Sequence, residues 1–564
     1  MHIVQVLSGQ IRQYKRSAIL TPVFTLLEVL MEILIPFVTA SLIDQGLQAG
    51  NMERILHYGL IMLIMAFASL LFGILGGVFA SDASTGFAAN LRDSMYANIQ
   101  TFSFSNIDKY STAGLVTRMT TDVTNLQNAF MMIIRIAVRA PLMMIIALVM
   151  CIVISPKISL IFLGALAILG AFLVVVIGRA SEAFRATFRK YDDLNASVQE
   201  NVSAIRVVKA FVREDYEKTK FNKAVEELYK LFVRAEKLVV MNMPVMTLIV
   251  AACIIGVSWL GAHQIVGGSM TTGELTSLFS YIMMVLFSLM MVSMIFVMLT
   301  MSAASAQRIC EVLEEKPDIC NPEKPVMEMK DGSIDFDDVD FAYKRRDVSY
   351  DKNGREVVTI HDVTKERDER TLHHINLHIH SGETIGIIGG TGSGKSSLVN
   401  LISRLYDVTH GTIKVGGVDV RDYDLEVLRD HVAVVLQSNN LFSGTIMDNL
   451  KWGNPDATLA DCREACALAC ADEFIDRMPE GYDTKITQGG TNVSGGQKQR
   501  LCIARALMKK PEILILDDST SACDTATDRK IRDAFATKIP GTTKLIIAQR
   551  ISSVQDADRI IVLD

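Results

Sequence analysis

The chain has 564 residues, of which 50% are hydrophobic and 21% are charged, with a formal net charge of −6 and a mean hydropathy of +0.30. This hydrophobic content excludes intrinsic disorder, and the slightly acidic balance argues against a nucleic-acid-binding protein. Nine cysteines are scattered along the chain without the clustering of a disulfide framework. Their pattern indicates reduced, mostly buried thiols in a protein that faces the cytosol.

Apolar segments dominate the first 300 residues or so. A helix needs about 20 apolar residues to cross a bilayer, and six segments are long enough. They lie near residues 17–43, 56–81, 130–154, 158–178, 239–263 and 275–301. The amphipathic segment 1–17 has no small-residue cleavage site and predicts a cytoplasmic elbow helix, not a signal peptide.

The connections between these spans alternate in length and charge. Those after the second and fourth spans are long, whereas the others are short. The long connection at 179–237 contains thirteen Lys and Arg residues, and the short segment 264–274 contains none. The positive-inside rule therefore places the long connections and both termini in the cytoplasm. Their helical periodicity predicts that the spans continue outside the membrane as long helices.

Two carboxylates interrupt the apolar first span. Glu28 and Glu32 lie four residues apart and therefore share one helix face. Because a carboxylate in hydrocarbon is costly, the pair is a candidate site for a cationic substrate. The alternative is a structural role with an interior partner, for which Arg135 or Arg139 at the start of the third span is available.

The sixth span is rich in methionine. Flexible thioethers suit a surface that accepts varied apolar ligands, so Met290 and Met294 are candidate contacts for an amphipathic substrate. Ordinary helix packing explains the same composition.

The composition changes after the sixth span. Residues 314–333 are polar and contain three prolines, which predicts a linker. We therefore expect a membrane domain at 1–313 and a second domain at 334–564. In the second domain the pattern becomes strand, loop and helix, which is typical of an α/β fold.

An apolar strand at 385–388 runs into a glycine-rich turn, and a helix follows, which is the context of a phosphate-binding P-loop. Backbone N–H groups of such a turn approach phosphates closely, Lys395 reaches the β and γ oxygens, and Ser396 holds Mg²⁺. The residues expected to bind the nucleotide are Gly389, Gly390, Thr391, Gly392, Ser393, Gly394, Lys395, Ser396 and Ser397.

Two further motifs follow the P-loop. The apolar run 513–516 predicts a buried strand, and Asp517 at its end fits the carboxylate that organises Mg²⁺ in P-loop enzymes. A second glycine turn opens a helix and consists of Ser494, Gly495, Gly496 and Gln497. The N-terminus of that helix favours an anion. Because the P-loop already binds the nucleotide of this chain, we expect the second turn to serve a nucleotide held by a second subunit.

The order of these motifs resembles an ABC ATPase domain, together with Gln437 after a strand and the run Ser521-Ala-Cys-Asp524 after the acidic strand. Six spans ahead of such a domain resemble the exporter half-transporters, with which residues 200–211 also match. The resemblance covers essentially the whole chain. It implies an α-helical six-span membrane domain fused to an α/β P-loop nucleotide-binding domain.

The resemblance also implies function. It predicts ATP-driven export of a small amphipathic, drug-like substrate, with ATP and Mg²⁺ as cofactors, in a bacterial inner or plasma membrane. The partner is a second half-transporter, and no nucleic acid is involved. By the same resemblance Tyr343 stacks on adenine, and Gln437 senses the γ-phosphate and joins Ser396 and Asp517 at the Mg²⁺. Turns near 108–116 and 210–218 are then the coupling helices.

Two positions depart from the family pattern. The residue after Asp517 is Asp518, where the family has the Glu that polarises the attacking water, and the switch position is Gln549, where the family has His. Asp is one methylene shorter, and a misplacement of about 1 Å costs about 10²-fold in rate. A neutral Gln offers no cationic imidazolium to the developing charge.

With the signature Ser494–Gln497 intact, these departures predict the hydrolysis-poor subunit of a heterodimeric exporter. Its signature would complete a competent site in a partner that supplies Glu and His. Two alternatives remain open: a homodimeric lipid or peptide exporter, and an ATP-gated channel or regulator.

Three smaller features complete the pattern. The charged insertion 344–370 predicts a solvated surface hairpin near the adenine side. Cys462, Cys466 and Cys470 follow helical spacing, and buried packing is expected because no fourth metal ligand is evident. The chain stops directly after a strand at 559–563, so we expect a further C-terminal segment beyond it.

Overall fold

The computed structural model describes residues 2–343, 345–350, 356–361 and 371–564. These residues form two compact units. The first contains the described residues among 1–100 and 111–315, and the second contains those among 101–110 and 316–564.

The first unit is entirely helical in its described part, and one short helix from the same stretch of chain, α4, belongs to the second unit. In chain order the helices are α1 (His2–Gly9), α2 (Lys15–Leu42), α3 (Met52–Gln100), α4 (Phe104–Lys109), α5 (Thr112–Thr117), α6 (Val123–Ile154), α7 (Pro156–Ser203), α8 (Ile205–Ala210), α9 (Glu214–Val240), α10 (Asn242–Val266) and α11 (Thr272–Glu314).

Six helical stretches in the described part of the chain are long and apolar enough to cross a membrane. They are Arg12–Leu47, Met52–Gln100, Thr112–Ile154, Pro156–Phe184, Glu214–Val266 and Thr272–Phe296. Each contains most or all of one segment expected from the sequence, so the prediction of six membrane-spanning helices is confirmed.

Several of these helices are far longer than a bilayer requires. Helix α3 has 49 residues and α7 has 48. At 1.5 Å per residue each is about 70 Å long, more than twice the hydrocarbon thickness of about 30 Å. The prediction that spans continue as long helices outside the membrane is therefore confirmed.

The short helices between the long ones differ in their bounds from the turns that the family resemblance implies near 108–116 and 210–218. In place of one turn at 108–116 the chain forms α4 and α5, because Ser103 and Asn106 form a capping box that starts α4 earlier. In place of a turn at 210–218 the chain forms α8 and then begins α9 at Glu214. The acidic first turn of α9 favours that start because it faces the positive end of the helix dipole.

The second unit is an α/β domain. Its strands are β1 (Ile334–Phe341), β2 (Arg345–Tyr350), β3 (Glu356–His361), β4 (Leu372–Ile379), β5 (Thr384–Gly389), β6 (His410–Val415), β7 (Val418–Asp419), β8 (Val432–Val435), β9 (Gly444–Thr445), β10 (Lys485–Ile486), β11 (Ile513–Asp517), β12 (Thr543–Ile547) and β13 (Arg559–Leu563). Its further helices are α12 (Lys395–Ile402), α13 (Leu425–His431), α14 (Ile446–Lys451), α15 (Leu459–Leu468), α16 (Asp472–Ile475), α17 (Gly495–Leu507) and α18 (Thr525–Lys538).

A parallel five-stranded sheet forms the centre of this unit, in the order β13-β5-β12-β11-β8. Leu545 of β12 pairs with Ile385 of β5 on one side and Ile515 of β11 on the other, and all three side chains are fully buried. Burial on both faces explains why these strands are continuous apolar runs. The carboxyl ends of β5, β8, β11 and β12 meet at one edge, where a ligand site is expected.

A second sheet, antiparallel, has the order β4-β1-β6-β7. The insertion contributes a separate two-stranded sheet, in which β2 and β3 pair antiparallel from Arg345 with His361 to Tyr350 with Glu356. The predicted hairpin is therefore confirmed in its backbone. Residues 344, 351–355 and 362–370 of the insertion lie outside the described residues.

The cysteine spacing is only partly helical. Cys462 and Cys466 lie on α15, but the helix ends at Leu468 and Cys470 has a φ of +53°. The expectation of one continuous helix face is therefore wrong for Cys470. All three thiols are buried in one hydrophobic cluster, in agreement with the packing role. Burial raises the pKa of Cys466 to about 12, so this thiol stays protonated.

Candidate functional site

The turn between β5 and α12 requires glycine at two positions. Gly392 and Gly394 have φ values of +88° and +86°, in the left-handed region that side chains disfavour. At Gly394 an added Cβ would lie 2.8 Å from Cδ2 of Leu372 and 3.0 Å from the carbonyl oxygen of Thr371. The turn therefore owes its shape to residues without side chains, as phosphate binding by backbone N–H groups requires.

The lysine of this turn lies over its own loop. Lys395 Nζ donates to the carbonyl oxygens of Gly389 at 3.0 Å and Gly390 at 2.5 Å, and to the hydroxyl of Ser393 at 3.4 Å. These oxygens hold the ammonium group at the mouth of the turn. A phosphate oxygen that approaches the backbone N–H groups would reach the same cation.

Asp517 lies at the end of β11 and is only 4% exposed. Its carboxylate accepts a hydrogen bond from the hydroxyl of Ser396 on α12. Burial raises the pKa of Asp517 and the neighbouring Asp518 adds to the shift, while Ser396 and Lys395 oppose it. A buried carboxylate beside a hydroxyl is the hard-oxygen donor set that Mg²⁺ prefers, so these two residues fit the ion.

Asp518 and Gln549 contact each other directly. Gln549 Nε2 donates to Oδ2 of Asp518 at 2.9 Å. Asp518 has a left-handed φ of +49°, and its backbone N–H donates to the carbonyl oxygen of Ile547 at 3.1 Å. Burial raises the pKa of Asp518, and hydrogen bonds from Ser521 and Gln549 oppose the shift together with the charge of Arg550. The two departures from the family pattern therefore form one local feature.

Gln437 follows β8, which pairs with β11, so it lies at the same edge of the sheet as Asp517. Its side chain is exposed, and its carbonyl oxygen accepts a hydrogen bond from Asn439 at 3.3 Å. The sheet topology thus brings Gln437 to the edge that carries the P-loop.

Tyr343 lies beside the helix that follows the P-loop. Its hydroxyl is 2.9 Å from the hydroxyl of Ser397 on α12, and its ring meets Phe341 and Tyr406 edge-on at 4.7 and 5.2 Å. Burial raises the pKa of Tyr343, and the ring remains 40% exposed. A partly exposed aromatic ring beside the first turn of the P-loop helix fits a platform for a nucleotide base.

The signature turn has a different setting. Ser494 caps α17 in a capping box: Gln497 N–H donates to Oγ of Ser494 at 3.3 Å, and Ser494 N–H donates to Oε1 of Gln497 at 2.9 Å. At Gly496 an added Cβ would lie 2.9 Å from the carbonyl oxygen of Ala522. The glycines therefore allow the start of α17 to lie against the loop 521–524 of the same chain.

Two residues that the motif pattern does not predict connect these parts. Gln499 is 5% exposed; its Nε2 donates to Oγ of Ser521 at 3.2 Å, and its Oε1 accepts from Ala522 N–H at 2.9 Å. Arg550 donates to the carbonyl oxygens of Ser521 at 3.1 Å and Cys523 at 3.3 Å. The sequence signal that could have identified them is their position: Gln499 lies two residues after Gln497, and Arg550 directly follows Gln549.

Helix α4 joins the nucleotide-binding unit through another unpredicted residue. Tyr406 donates a hydrogen bond from its hydroxyl to Oδ2 of Asp108 at 2.7 Å, and its ring contacts Phe104 at 6.0 Å. Burial and the bond to Asp108 raise the pKa of Tyr406. Because the same ring contacts Tyr343, the adenine-platform candidate and α4 share one aromatic neighbour.

In the membrane unit the two glutamates share one arginine. Arg139 donates to Oε1 of Glu28 at 2.5 Å and to both oxygens of Glu32 at 2.7 and 2.8 Å. Gly73 of α3 leaves room for this pair, because an added Cβ would lie 3.0 Å from Oε1 of Glu28. Arg135 instead donates to the carbonyl oxygen of Gly73 at 3.4 Å. This geometry agrees with the structural alternative and selects Arg139 as the partner.

The two methionine candidates differ in exposure. Met290 is half-buried, and Met294 is 62% exposed on α11. The described contacts do not join either of them to the glutamate pair.

Comparison with known proteins supports the same architecture. The family described as "ABC transporter transmembrane region" matches residues 18–290, and the family described as "ABC transporter" matches residues 372–521. A Bacillus subtilis (strain 168) protein, "Uncharacterized ABC transporter ATP-binding protein YfiB", is 35% identical over 98% of this chain and 92% of its own length.

Two further similarities are informative. The "ATP-dependent lipid A-core flippase" of Desulfotalea psychrophila (strain LSv54 / DSM 12343) is 33% identical over 80% of this chain and 75% of its own length. The solved "Structure of a bacterial Atm1-family ABC exporter with ATP bound" has the same fold, with a TM-score of 0.79 and 22% identity. The similarity covers 98% of this chain and 94% of the chain in that structure.

The chain therefore belongs to the ABC transporter family. It is a multi-pass membrane protein of bacterial type and an ATP-driven ABC transporter subunit with the exporter architecture, six spans fused to an ATPase domain. The ATPase domain binds ATP, and hydrolysis is coupled to transport. A single chain carries half of a transporter, so the working molecule is a dimer with a second ABC subunit.

Proposed function

We propose that this chain is the subunit with the weakened ATP site in a heterodimeric exporter of amphipathic, drug-like substrates. The observation that carries the proposal is the contact between Gln549 and Asp518 at 2.9 Å. Gln549 is a neutral amide and Asp518 is a short acid, and they occupy the positions where hydrolysis needs a cationic imidazole and the longer acid Glu.

The short acid is held back by its own neighbours. Ser521 and Gln549 both hydrogen-bond Asp518, and its carboxylate is one methylene nearer the backbone than that of Glu. Burial raises the pKa of Asp518, which makes its carboxylate a stronger base. The position of the carboxylate outweighs its basicity, because a displacement of about 1 Å from the attacking water lowers the rate of hydrolysis about 10²-fold.

Nucleotide binding does not depend on these two residues. Lys395 lies at the mouth of the P-loop, and Ser396 and Asp517 supply oxygens suited to Mg²⁺, with Gln437 as the third expected ligand. Mg²⁺ at these oxygens would neutralise charge on the β- and γ-phosphates. We infer that the site holds Mg·ATP for longer than a transport cycle requires.

The signature of this chain serves the other site. The capping box of Ser494 and Gln497 leaves the start of α17 preorganised, with its free N–H groups available to an anion. In the heterodimer this helix end would face the γ-phosphate bound to the partner's P-loop. Hydrolysis at that second site would reset the transporter.

The experiment measures ATP binding and ATP turnover by this chain alone, purified and reconstituted in lipid nanodiscs. We expect saturable Mg·ATP binding with turnover at background level. The double variant Asp518→Glu with Gln549→His should raise turnover by at least about 10-fold. The same double change combined with Lys395→Ala is the matched control and should remain inactive.

Robust turnover by the unmodified chain would contradict the proposal. Asp518 would then serve as the base, and two copies of this chain would suffice. That result would favour the second candidate, a homodimeric lipid exporter, for which the similarity to a lipid A-core flippase is the specific observation.

The substrate class is tested separately. In nanodiscs that contain this chain together with its partner subunit, a panel of cationic, neutral and anionic amphiphiles is tested for stimulation of ATP turnover. Preferential stimulation by cationic amphiphiles that is lost in Glu32→Gln would support a substrate role of the glutamate pair. Equal loss for every amphiphile would support its structural role.

A further inference from the structure

Histidine is concentrated in one short segment of the nucleotide-binding unit. The chain has ten histidines, and four of them lie within eight residues: His373, His374, His378 and His380. All but the last lie on β4, which is the edge strand of the antiparallel sheet, and His380 follows directly. The family motifs leave this concentration unexplained.

His378 and His380 are two residues apart, so they point to the same face of the strand. Nε2 of His378 lies 3.2 Å from Nδ1 of His380, and the two rings meet at an angle of 85°. Both side chains are exposed to solvent in the described unit. Two imidazole nitrogens therefore lie next to each other at an exposed position.

The other nitrogen of His378 is already engaged. Asp335 on β1 pairs with His378 across the sheet, and its carboxylate hydrogen-bonds Nδ1 of that histidine. Since a carboxylate accepts, Nδ1 carries the proton and Nε2 is left with its lone pair directed toward His380. A carboxylate on the far nitrogen is the arrangement that orients metal-binding histidines.

The charges around the pair favour a cation. Glu383 accepts from the backbone N–H of His380 at 2.9 Å, and Arg559 forms an ion pair with Glu383. Arg559 also donates to the carbonyl oxygen of His378 at 2.5 Å. With Asp335 and Glu383 against one arginine, the described charged groups that contact this pair of histidines sum to one negative charge.

We propose that His378 Nε2 and His380 Nδ1 chelate a divalent transition-metal ion of the Zn²⁺ or Cu²⁺ type, with Asp335 orienting His378. Two nitrogens at about 2.0–2.1 Å from a tetrahedral ion lie about 3.4 Å apart, close to the separation observed here. The described residues contain no ready group of three or more His, Cys, Asp or Glu ligands. Water therefore completes the coordination, and the ion exchanges readily.

A hydrogen bond from one imidazole to the other gives a similar distance without a metal. In that case Nδ1 of His380 is protonated and donates to Nε2 of His378. Metal binding requires the opposite tautomer of His380, with its proton on Nε2. A metal titration separates the two cases, whichever subunit hydrolyses ATP.

The experiment uses the full chain in nanodiscs, with any purification tag removed and the protein washed with a chelator. Zn²⁺ is titrated by calorimetry, and Cu²⁺ by electron paramagnetic resonance, which counts bound nitrogens. We expect one saturable equivalent and a two-nitrogen Cu²⁺ spectrum. His378→Gln and His380→Gln should each abolish that equivalent, and Asp335→Asn should weaken it by about 10- to 100-fold.

His374→Gln is the matched control. This histidine lies on the same strand but hydrogen-bonds Asp338 at 2.7 Å, so its replacement should leave Zn²⁺ binding unchanged. Absence of a saturable equivalent overturns the proposal, as does equal loss in the control, which would mean diffuse binding by the histidine-rich strand. Unchanged ATP binding in each variant verifies that the domain is folded.

Discussion

Each unit of this transporter subunit contains a pair of neighbouring carboxylates, and the two pairs differ in the charge of the groups that contact them. In the membrane unit Glu28 and Glu32 share the guanidinium of Arg139 at 2.5 to 2.8 Å. A charge of opposite sign thus neutralises part of the pair inside the fold. The chain itself thus supplies the cation that both carboxylates of this pair contact.

In the nucleotide-binding unit the acids are Asp517 and Asp518, and their direct partners are neutral. Ser396 donates to Asp517, and Gln549 donates to Asp518. Burial raises the pKa of both carboxylates, so the unliganded site pays with stability for keeping them ionised. Mg²⁺ bound at these acids, as proposed above, would remove that cost.

The partners of a buried acid in the fold therefore help to distinguish a structural role from a ligand-binding role. From the sequence alone both pairs are equally good candidates for a functional site, because carboxylates are rare in apolar segments. A pair that contacts an internal cation favours a structural role, whereas a pair with neutral donors is a candidate for binding a ligand.

The largest effect is expected from removing the internal cation. Arg139→Gln should lower the free energy of unfolding by about 3–5 kcal/mol, because it leaves two buried carboxylates unpaired. Thermal unfolding in nanodiscs, followed by fluorescence, measures the change. The triple variant Glu28→Gln, Glu32→Gln and Arg139→Gln removes all three charges and should recover most of the loss. A stable Arg139→Gln protein with altered substrate preference would instead make the pair a substrate site.

The next effect concerns the cation of the P-loop. Lys395→Ala should weaken ATP binding about 10- to 100-fold, since a hydrogen bond to a charged group contributes about 1.5–3 kcal/mol. Titration with a fluorescent ATP analogue measures it. Lys530→Ala, which removes a surface ion pair with Glu473, is the control and should bind ATP normally. Equal weakening in both variants would rule out a specific role for Lys395.

A smaller effect is expected at the junction of signature and acidic strand. Gln499→Leu keeps the volume but leaves the N–H of Ala522 without its acceptor, at a cost of about 1–3 kcal/mol. Thermal unfolding of the nucleotide-binding unit should shift down accordingly. Gln499→Glu retains the acceptor and should shift it less. If both variants unfold like the native protein, the bonds in the structure contribute nothing measurable.

The smallest effect has the opposite sign. Because the pKa of Asp517 is raised in the fold, its ionised form costs stability above that pKa, and the cost disappears at a pH low enough to protonate it. Asp517→Asn should therefore raise the melting temperature of the nucleotide-free protein at pH 7.5 in EDTA, and this gain should shrink as the pH is lowered and Asp517 becomes protonated. Mg²⁺-dependent ATP binding should be lost in the same variant.

Asp524 provides the comparison for that experiment. It caps α18, and hydrogen bonds from Thr527 lower its pKa, so Asp524→Asn should lower the melting temperature at pH 7.5. A downward shift in Asp517→Asn as well would mean that the hydrogen bond from Ser396 outweighs the cost of burial.

Local sequence determined much of this protein. Runs of about 20 apolar residues predict the six spans whatever surrounds them, because each helix satisfies its own backbone hydrogen bonds. The P-loop and the buried strand before Asp517 are equally local, since glycine positions and a continuous apolar strand carry the signal. The capping box at Ser494 and Gln497 is a third example, because it depends on only four consecutive residues.

Tertiary structure decided what lies between distant segments. The choice of Arg139 over Arg135 as partner of the glutamates depends on how the faces of α2, α3 and α6 meet. Both arginines occupy the same helix one turn apart, so spacing alone leaves the choice open. The starts of α4 and α9 likewise follow a capping box and acidic end charges, which the family resemblance does not specify.

The site itself shows the same division. Asp518 and Gln549 are 31 residues apart, and they touch because β11 and β12 pair in parallel register and end at one edge of the sheet. His378 meets Asp335 for the same kind of reason, through the antiparallel pairing of β1 and β4. The sequence names the chemical groups, and strand register decides which of them meet, because pairing between strands is set by the packing of the whole sheet.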